Sequence, residues 1–127
     1  MSREIELNKN TMIVSETDAK GMITYANDEF CLFAGYTKEE LIGKPHNIVR
    51  HSDMPKVAFE DLWKTINTGK IWNGIVKNKT KTGDFYWVNA TAYQSKREDG
   101  NIRYISVRVK PTREEIEKAE TLYKTLV

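Results

Sequence analysis

The stretch Asp84-Phe-Tyr-Trp-Val-Asn-Ala-Thr-Ala-Tyr-Gln94 decides how this chain folds. It has no proline, is rich in aromatic and β-branched residues, and alternates two sets of side chains, as a strand of period two does. One set is Phe85, Trp87, Asn89, Thr91 and Tyr93; the other is Tyr86, Val88, Ala90 and Ala92. The second set is expected to form an inner, concave face whose alanines leave room. Segments of the same character flank it, from Ile71 to Asn78 and from Ile102 to Lys110. Turns at Lys81-Thr-Gly83 and Glu98-Asp-Gly-Asn101 join the three into an antiparallel set. On the first of them Trp72, Gly74, Val76 and Asn78 share one face.

Upstream, Val57, Ala58, Leu62, Trp63 and Ile66 mark one stripe of a helix from Pro55 to Asn67, stopped by Gly69. Before it come two short helices. Asn27 is the cap candidate of the first, ahead of Asp28 and Glu29, and Gly35 ends it. Thr37-Lys-Glu-Glu40 is a capping box opening the second, which Gly43 closes. Earlier still, Thr11 to Ser15 and Met22 to Ala26 form a hairpin around the turn Asp18-Ala-Lys-Gly21. Met1 to Asn10 are polar and without period, a short helical or frayed lead-in. At the other end Thr112 and Glu115 make a second capping box, and Ile116, Ala119, Tyr123 and Leu126 form one stripe of an amphipathic helix. That helix is expected to leave the fold with an apolar stripe in need of a partner. The predicted architecture is α+β: a five-stranded antiparallel sheet, short helices on one face, and a C-terminal connector helix. Its parts are a lead-in over 1–10, one domain over 11–110 and the connector over 111–127. A ligand would sit between the sheet and the helices.

Composition bounds the function. The chain has 127 residues, enough for one domain. One cysteine excludes an internal disulfide, and the longest apolar run, Phe30 to Ala34, is far short of a membrane span. No signal peptide is present, so a cytoplasmic location is expected. Twenty basic residues against eighteen acidic give +2, which is not the balance of a nucleic-acid binder. Lys77, Lys79 and Lys81 alternate along one strand and read as protection of a sheet edge.

No catalytic constellation is present: no G-x-S-x-G, P-loop or H-E-x-x-H occurs, and Cys31 lies in an apolar helix face, so an enzyme is not expected. His46, His51 and Asp53 are too few for a convincing metal site, though either histidine would suit a haem iron. The loop Asn47-Ile-Val-Arg-His-Ser-Asp-Met-Pro55 has two readings. In one it is a surface turn whose Asp53 caps the following helix. In the other Arg50, His51 and Asp53 meet an anionic ligand with a polar heterocycle. Trp72 and Asn78 likewise read either as an ordinary core tryptophan beside a turn amide, or as a stacking surface and a polar reader for a flat ligand.

Ala26-Asn-Asp-x-Phe30, Gly35-Tyr36, Glu40-Leu-Ile-Gly43, Pro45-His-Asn47, Val49-Arg-His-x-Asp-Met-Pro55, Trp72-x-Gly-Ile-Val-Lys-Asn78, Tyr86-Trp-Val88 and Ser106-Val-Arg108 stand in register with a known pattern. On these motifs the chain resembles the PAS domain of bacterial aerotaxis transducers, from about Thr11 to Tyr123. The resemblance implies a PAS sensor domain that binds FAD non-covalently and signals through its redox state in response to oxygen. It implies cofactor contacts from Arg50, His51, Asp53, Trp72, Asn78, Asn27 and Tyr86. It further implies a chemoreceptor signalling domain or partner chain downstream, and a homodimer formed through the domain or its flanking helices. Ser52 stands where the family often has proline, and His46 to Arg50 lacks the reactive cysteine of light-sensing relatives. The alternative is an interaction or dimerisation module with an empty or metabolite-filled cleft; haem sensing is a third. Because the terminal stripe runs to the last residues, a module of a longer receptor is expected.

Overall fold

The computed structural model describes residues 2–126; Met1 and Val127, the outer ends of the expected lead-in and connector, lie outside the described residues. In chain order the elements are β1 (Ile13–Thr17), β2 (Ile23–Ala26), α1 (Asp28–Ala34), α2 (Lys38–Leu41), a 3-10 turn (His46–Val49), α3 (Lys56–Asn67), β3 (Trp72–Lys79), β4 (Phe85–Lys96), β5 (Ile102–Val109) and α4 (Arg113–Leu126). The five strands form one antiparallel sheet ordered β2-β1-β5-β4-β3. The last strand therefore lies in the middle, where its inner side chains face the helices. β1 begins later than the expected Thr11 because that residue closes a turn: its N–H donates to the Asn8 carbonyl at 3.0 Å and its Oγ1 accepts from the Asn8 N–H at 3.1 Å.

Local chemistry sets the helices. The Asn27 side chain accepts from the Phe30 N–H at 3.0 Å, capping α1, and Gly35 ends the helix at φ 79, a left-handed position that glycine takes without strain. Both halves of the Thr37–Glu40 capping box are formed. In α3 the inward stripe is Ala58, Leu62, Trp63 and Ile66; Val57 faces solvent. Asp53 does not cap α3, contrary to the first reading of its loop. The helix starts after Pro55 with no side-chain cap, and the Asp53 carboxylate accepts from Lys77 Nζ at 2.8 Å, a charged partner stronger than a backbone N–H.

The two ends of the chain differ most from expectation. The lead-in is neither helical nor frayed around residues 3–5. The Ile5 N–H donates to the Phe85 carbonyl at 2.8 Å and the Phe85 N–H to the Arg3 carbonyl at 3.0 Å, so this segment continues the sheet beside the start of β4, where β5 gives out. Leu7 is buried in the core. α4, opened by the Thr112–Glu115 capping box, keeps its stripe. Ile116 and Ala119 pack with Trp87 on the outer face of the sheet, Ile75, Phe85 and Tyr123 pack against that cluster, and the Tyr123 hydroxyl donates to the Ile75 carbonyl. Leu122 and Leu126 stay open, 54% and 46% exposed.

Candidate functional site

A cavity of about 290 Å³ lies between the inner face of the sheet and the helices. That is near the lower end of the range for small-molecule sites, about 300–1,000 Å³. Its floor is built by strand alternation: Val76 and Asn78 from β3, Ala90 and Ala92 from β4, and Tyr104, Ser106 and Arg108 from β5. Ala90 and Ala92 pair with Arg108 and Ser106 across the sheet, so the two small side chains open space beside two polar ones. α3 supplies an apolar wall from Phe59, Leu62, Trp63 and Ile66. The Trp63 ring meets Tyr104 edge-on at 5.2 Å, and the Tyr104 hydroxyl donates to Asn67 Oδ1 at 2.5 Å, tying the wall to the floor.

One end of the cavity is polar. Arg108 is 2% exposed. Its Nη1 donates to Ser106 Oγ at 3.1 Å and to His46 Nε2 at 3.0 Å; its Nη2 donates to Ser15 Oγ at 2.9 Å. Its Cζ sits 4.6 Å from the Phe30 ring centre, and Phe30 in turn stacks on His46 at 5.7 Å. Desolvation holds the guanidinium pKa down to about 10. Burial, then the neighbouring Arg108 charge, holds His46 down to about 3, so the ring is neutral and its Nε2 is free to accept. Ser15 Oγ, 2.9 Å from the same nitrogen, completes the cluster.

Of the seven residues for which the resemblance implies a cofactor contact, Arg50 and Asn78 line this cavity, and the structure joins them: the two pair backbone to backbone as an isolated antiparallel bridge. Arg50 Cζ stacks over Phe59 at 4.7 Å. His51 and Asp53 stand outside the wall and fasten the loop to β3. The His51 N–H donates to the Lys77 carbonyl, His51 Nδ1 accepts from the Asp53 N–H at 3.0 Å, and the Asp53 carboxylate holds Lys77. Lys77 depresses the Asp53 pKa, while burial and then Lys77 depress that of His51. Asn27 is placed as a three-way clasp: besides capping α1, it accepts from the Val14 N–H at 3.1 Å and donates to the Met12 carbonyl at 2.9 Å. The Trp72 indole lies over Gly74 and its N–H donates to Asp61 at 2.9 Å. Tyr86 sits in the core beneath Phe33. Its hydroxyl makes no well-aligned hydrogen bond, and burial, opposed by the Arg108 charge and by Asn78, pushes its pKa up to about 12.

Ser15, Arg108 and the aromatic wall of α3 carry no ligand-contact role in the sequence reading, which weighed His46 only as a metal or haem ligand. A signal was present: Arg108 is in phase with Tyr104 and Ser106 on the strand that must pair with the alanine face.

A family model described as the PAS fold matches residues 23–108. Over 117 residues the chain is 51% identical to the aerotaxis receptor of Escherichia coli (strain K12), covering 92% of this chain and 23% of that protein. It is 35% identical over 95 residues to the biofilm dispersion protein BdlA of Pseudomonas aeruginosa, covering 72% of this chain and 22% of that protein. The chain thus spans less than a quarter of the length of these relatives. Among solved structures, the light-state structure of the blue-light photoreceptor Aureochrome1 LOV superposes with a TM-score of 0.75 at 19% identity, over 88% of this chain and 91% of that one, a likeness of fold.

Proposed function

Since the chain belongs to the PAS-fold family, we propose that it is a sensing module that holds FAD non-covalently, reads redox or oxygen state for taxis, and acts as a sensor rather than an enzyme. The observation that carries this reading is the cavity. It has an apolar aromatic wall, a floor of alanines that gives a flat ring room, and cations at Arg50 and Arg108 for electron-rich groups. A bound flavin would supply reversible electron and proton uptake at its ring. The chain's own part is to orient and to relay. Trp63 and Phe59 would flank the ring, and Asn78 would offer an amide to its edge. Arg50, kept in place by the His51–Asp53–Lys77 fastening, would face the phosphates. Asn78 and Val76 share β3 with Ile75, whose carbonyl holds Tyr123 of α4. A change of hydrogen bonding on the inner face therefore has a short covalent route to the helix on the outer face. Downstream, the module would act on a chemoreceptor signalling domain or partner chain from the cytoplasmic side, as a homodimer. Among the described residues no helix is long and apolar enough to cross a membrane.

An interaction module is the second reading, favoured by Tyr25, Tyr93 and Val109 exposed on the outer face of the sheet. An absorption spectrum of freshly purified protein decides between them. Bands near about 450 nm that bleach on dithionite, with FAD released on heating, support the flavin sensor. A flat spectrum from folded protein that stays flat after added FAD refutes it.

A further inference from the structure

A guanidinium sealed into a protein ordinarily faces a carboxylate, because an isolated buried charge is strongly disfavoured. Among the described residues Arg108 has no such partner: every ion pair in the structure is made by other cations. The neighbours that hold it are all neutral, namely two serines, a histidine kept unprotonated and the face of Phe30. They fix the direction of the fork without cancelling its charge. The Nε–H is also buried and meets no protein acceptor. Arg50 provides the contrast. It is half-buried at the loop and lies on an aromatic face, a position suited to a phosphate that leads out to solvent.

We propose that Arg108, aimed by Ser15, Ser106 and His46, is the residue that reads the electron-rich oxygen edge of a planar heterocycle in the cavity, for a flavin the dione edge of the ring rather than its phosphates. This rests on the flavin reading above. The cluster is a specificity device. A flat ligand lacking an acceptor edge leaves the buried cation unmatched, and a ligand carrying one gains a charged hydrogen bond in a dry site. His46 serves only as an acceptor that turns the fork; with Nε2 taken by Arg108 and Ser15, it is a positioning residue.

The test uses the purified chain and three probes, FAD, FMN and riboflavin, titrated by fluorescence anisotropy into wild type, Arg108→Met and, should the first fold poorly, Arg108→Gln. Each variant's ligand-free thermal midpoint is measured alongside. The expected result is a loss of affinity of about 10- to 100-fold, the same for all three probes because they share the ring. The ligand-free midpoint of Arg108→Met should be unchanged or raised, since an uncompensated buried charge has been replaced by an apolar chain. Unchanged binding overturns the proposal. So does weakening confined to FAD and FMN, which would make Arg108 a phosphate reader. So does a lowered ligand-free midpoint with ring binding retained, which would make it a structural cation. A wild type that binds none of the three refutes the flavin reading alone; the thermal measurement then decides whether Arg108 is held for a ligand or for the fold.

Discussion

Lowering the pH should destabilise this protein, with His46 the side chain whose contribution can be isolated. In the folded chain its pKa is down to about 3 against an ordinary 6.5, first because the ring is desolvated and second because Arg108 stands beside it. The unfolded chain therefore takes up a proton at this position on falling below 6.5, while the folded chain does not until about 3. Throughout that window the unfolded state binds more protons, so stability rises with pH and is lost as pH falls. At about 1.4 kcal/mol per pH unit, the contribution lost between about pH 8 and about pH 5 comes to about 2 kcal/mol, which is a large share of the stability of a small domain. Urea denaturation at pH steps across that range measures it, with His46→Gln as the reference, because glutamine still offers an acceptor but has nothing to titrate. His51 shifts the same way in both proteins and cancels in the difference. The wild-type curve should fall by about 2 kcal/mol more than that of His46→Gln. Parallel curves would refute the claim that His46 is held neutral against Arg108.

Three further perturbations test the frame around the cavity. Asn27→Ala removes the cap of α1 and orphans the Val14 N–H; it should cost about 2 kcal/mol in urea denaturation, more than an ordinary cap. Gly74→Ala would place a methyl group within 2.6 Å of Trp72 Cζ2, against an indole pinned by Asp61. A loss of about 1–3 kcal/mol with a shifted tryptophan emission is expected, and an unperturbed protein would mean that the indole is free to move. Tyr123→Phe deletes the hydroxyl that donates to Ile75. It should cost about 1 kcal/mol and speed amide hydrogen exchange in α4 ahead of the sheet.

Much of the fold is legible in the chain because its signals are local. The capping boxes at Thr37–Glu40 and Thr112–Glu115 depend on residues three apart, and both form. The face of Tyr86, Val88, Ala90 and Ala92 follows from alternation alone, and all four are buried. The cavity's charge is not local. In β5, hydrophobic alternation favours burying Ile105, Val107 and Val109, yet the structure buries Tyr104 and Arg108 and leaves Val109 exposed. The in-phase set wins because its strand is paired to the alanine face on one side and to Ser15 on the other, a register fixed by turns far from Arg108. The loop of His51 and Asp53 was ambiguous for a similar reason. What settles its outward direction is Lys77, on a strand beyond the whole of α3. The docking of α4 depends likewise on Trp87 and Ile75, which no feature of the helix itself announces.

The placement of the three tryptophans equips the molecule with its own reporters. Trp63 stands in the cavity wall against Tyr104, Trp72 is tethered to α3 through Asp61, and Trp87 lies under α4 on the opposite side of the sheet. Replacing any two by phenylalanine leaves one indole whose emission belongs to a single layer. A ligand entering the cavity would quench Trp63 directly, a change in the sheet's edge would be seen at Trp72, and the lifting of the terminal helix would wet Trp87. Timed against one another after mixing, the three signals give the order in which an event on the inner face reaches the outer one, with no label attached to the chain.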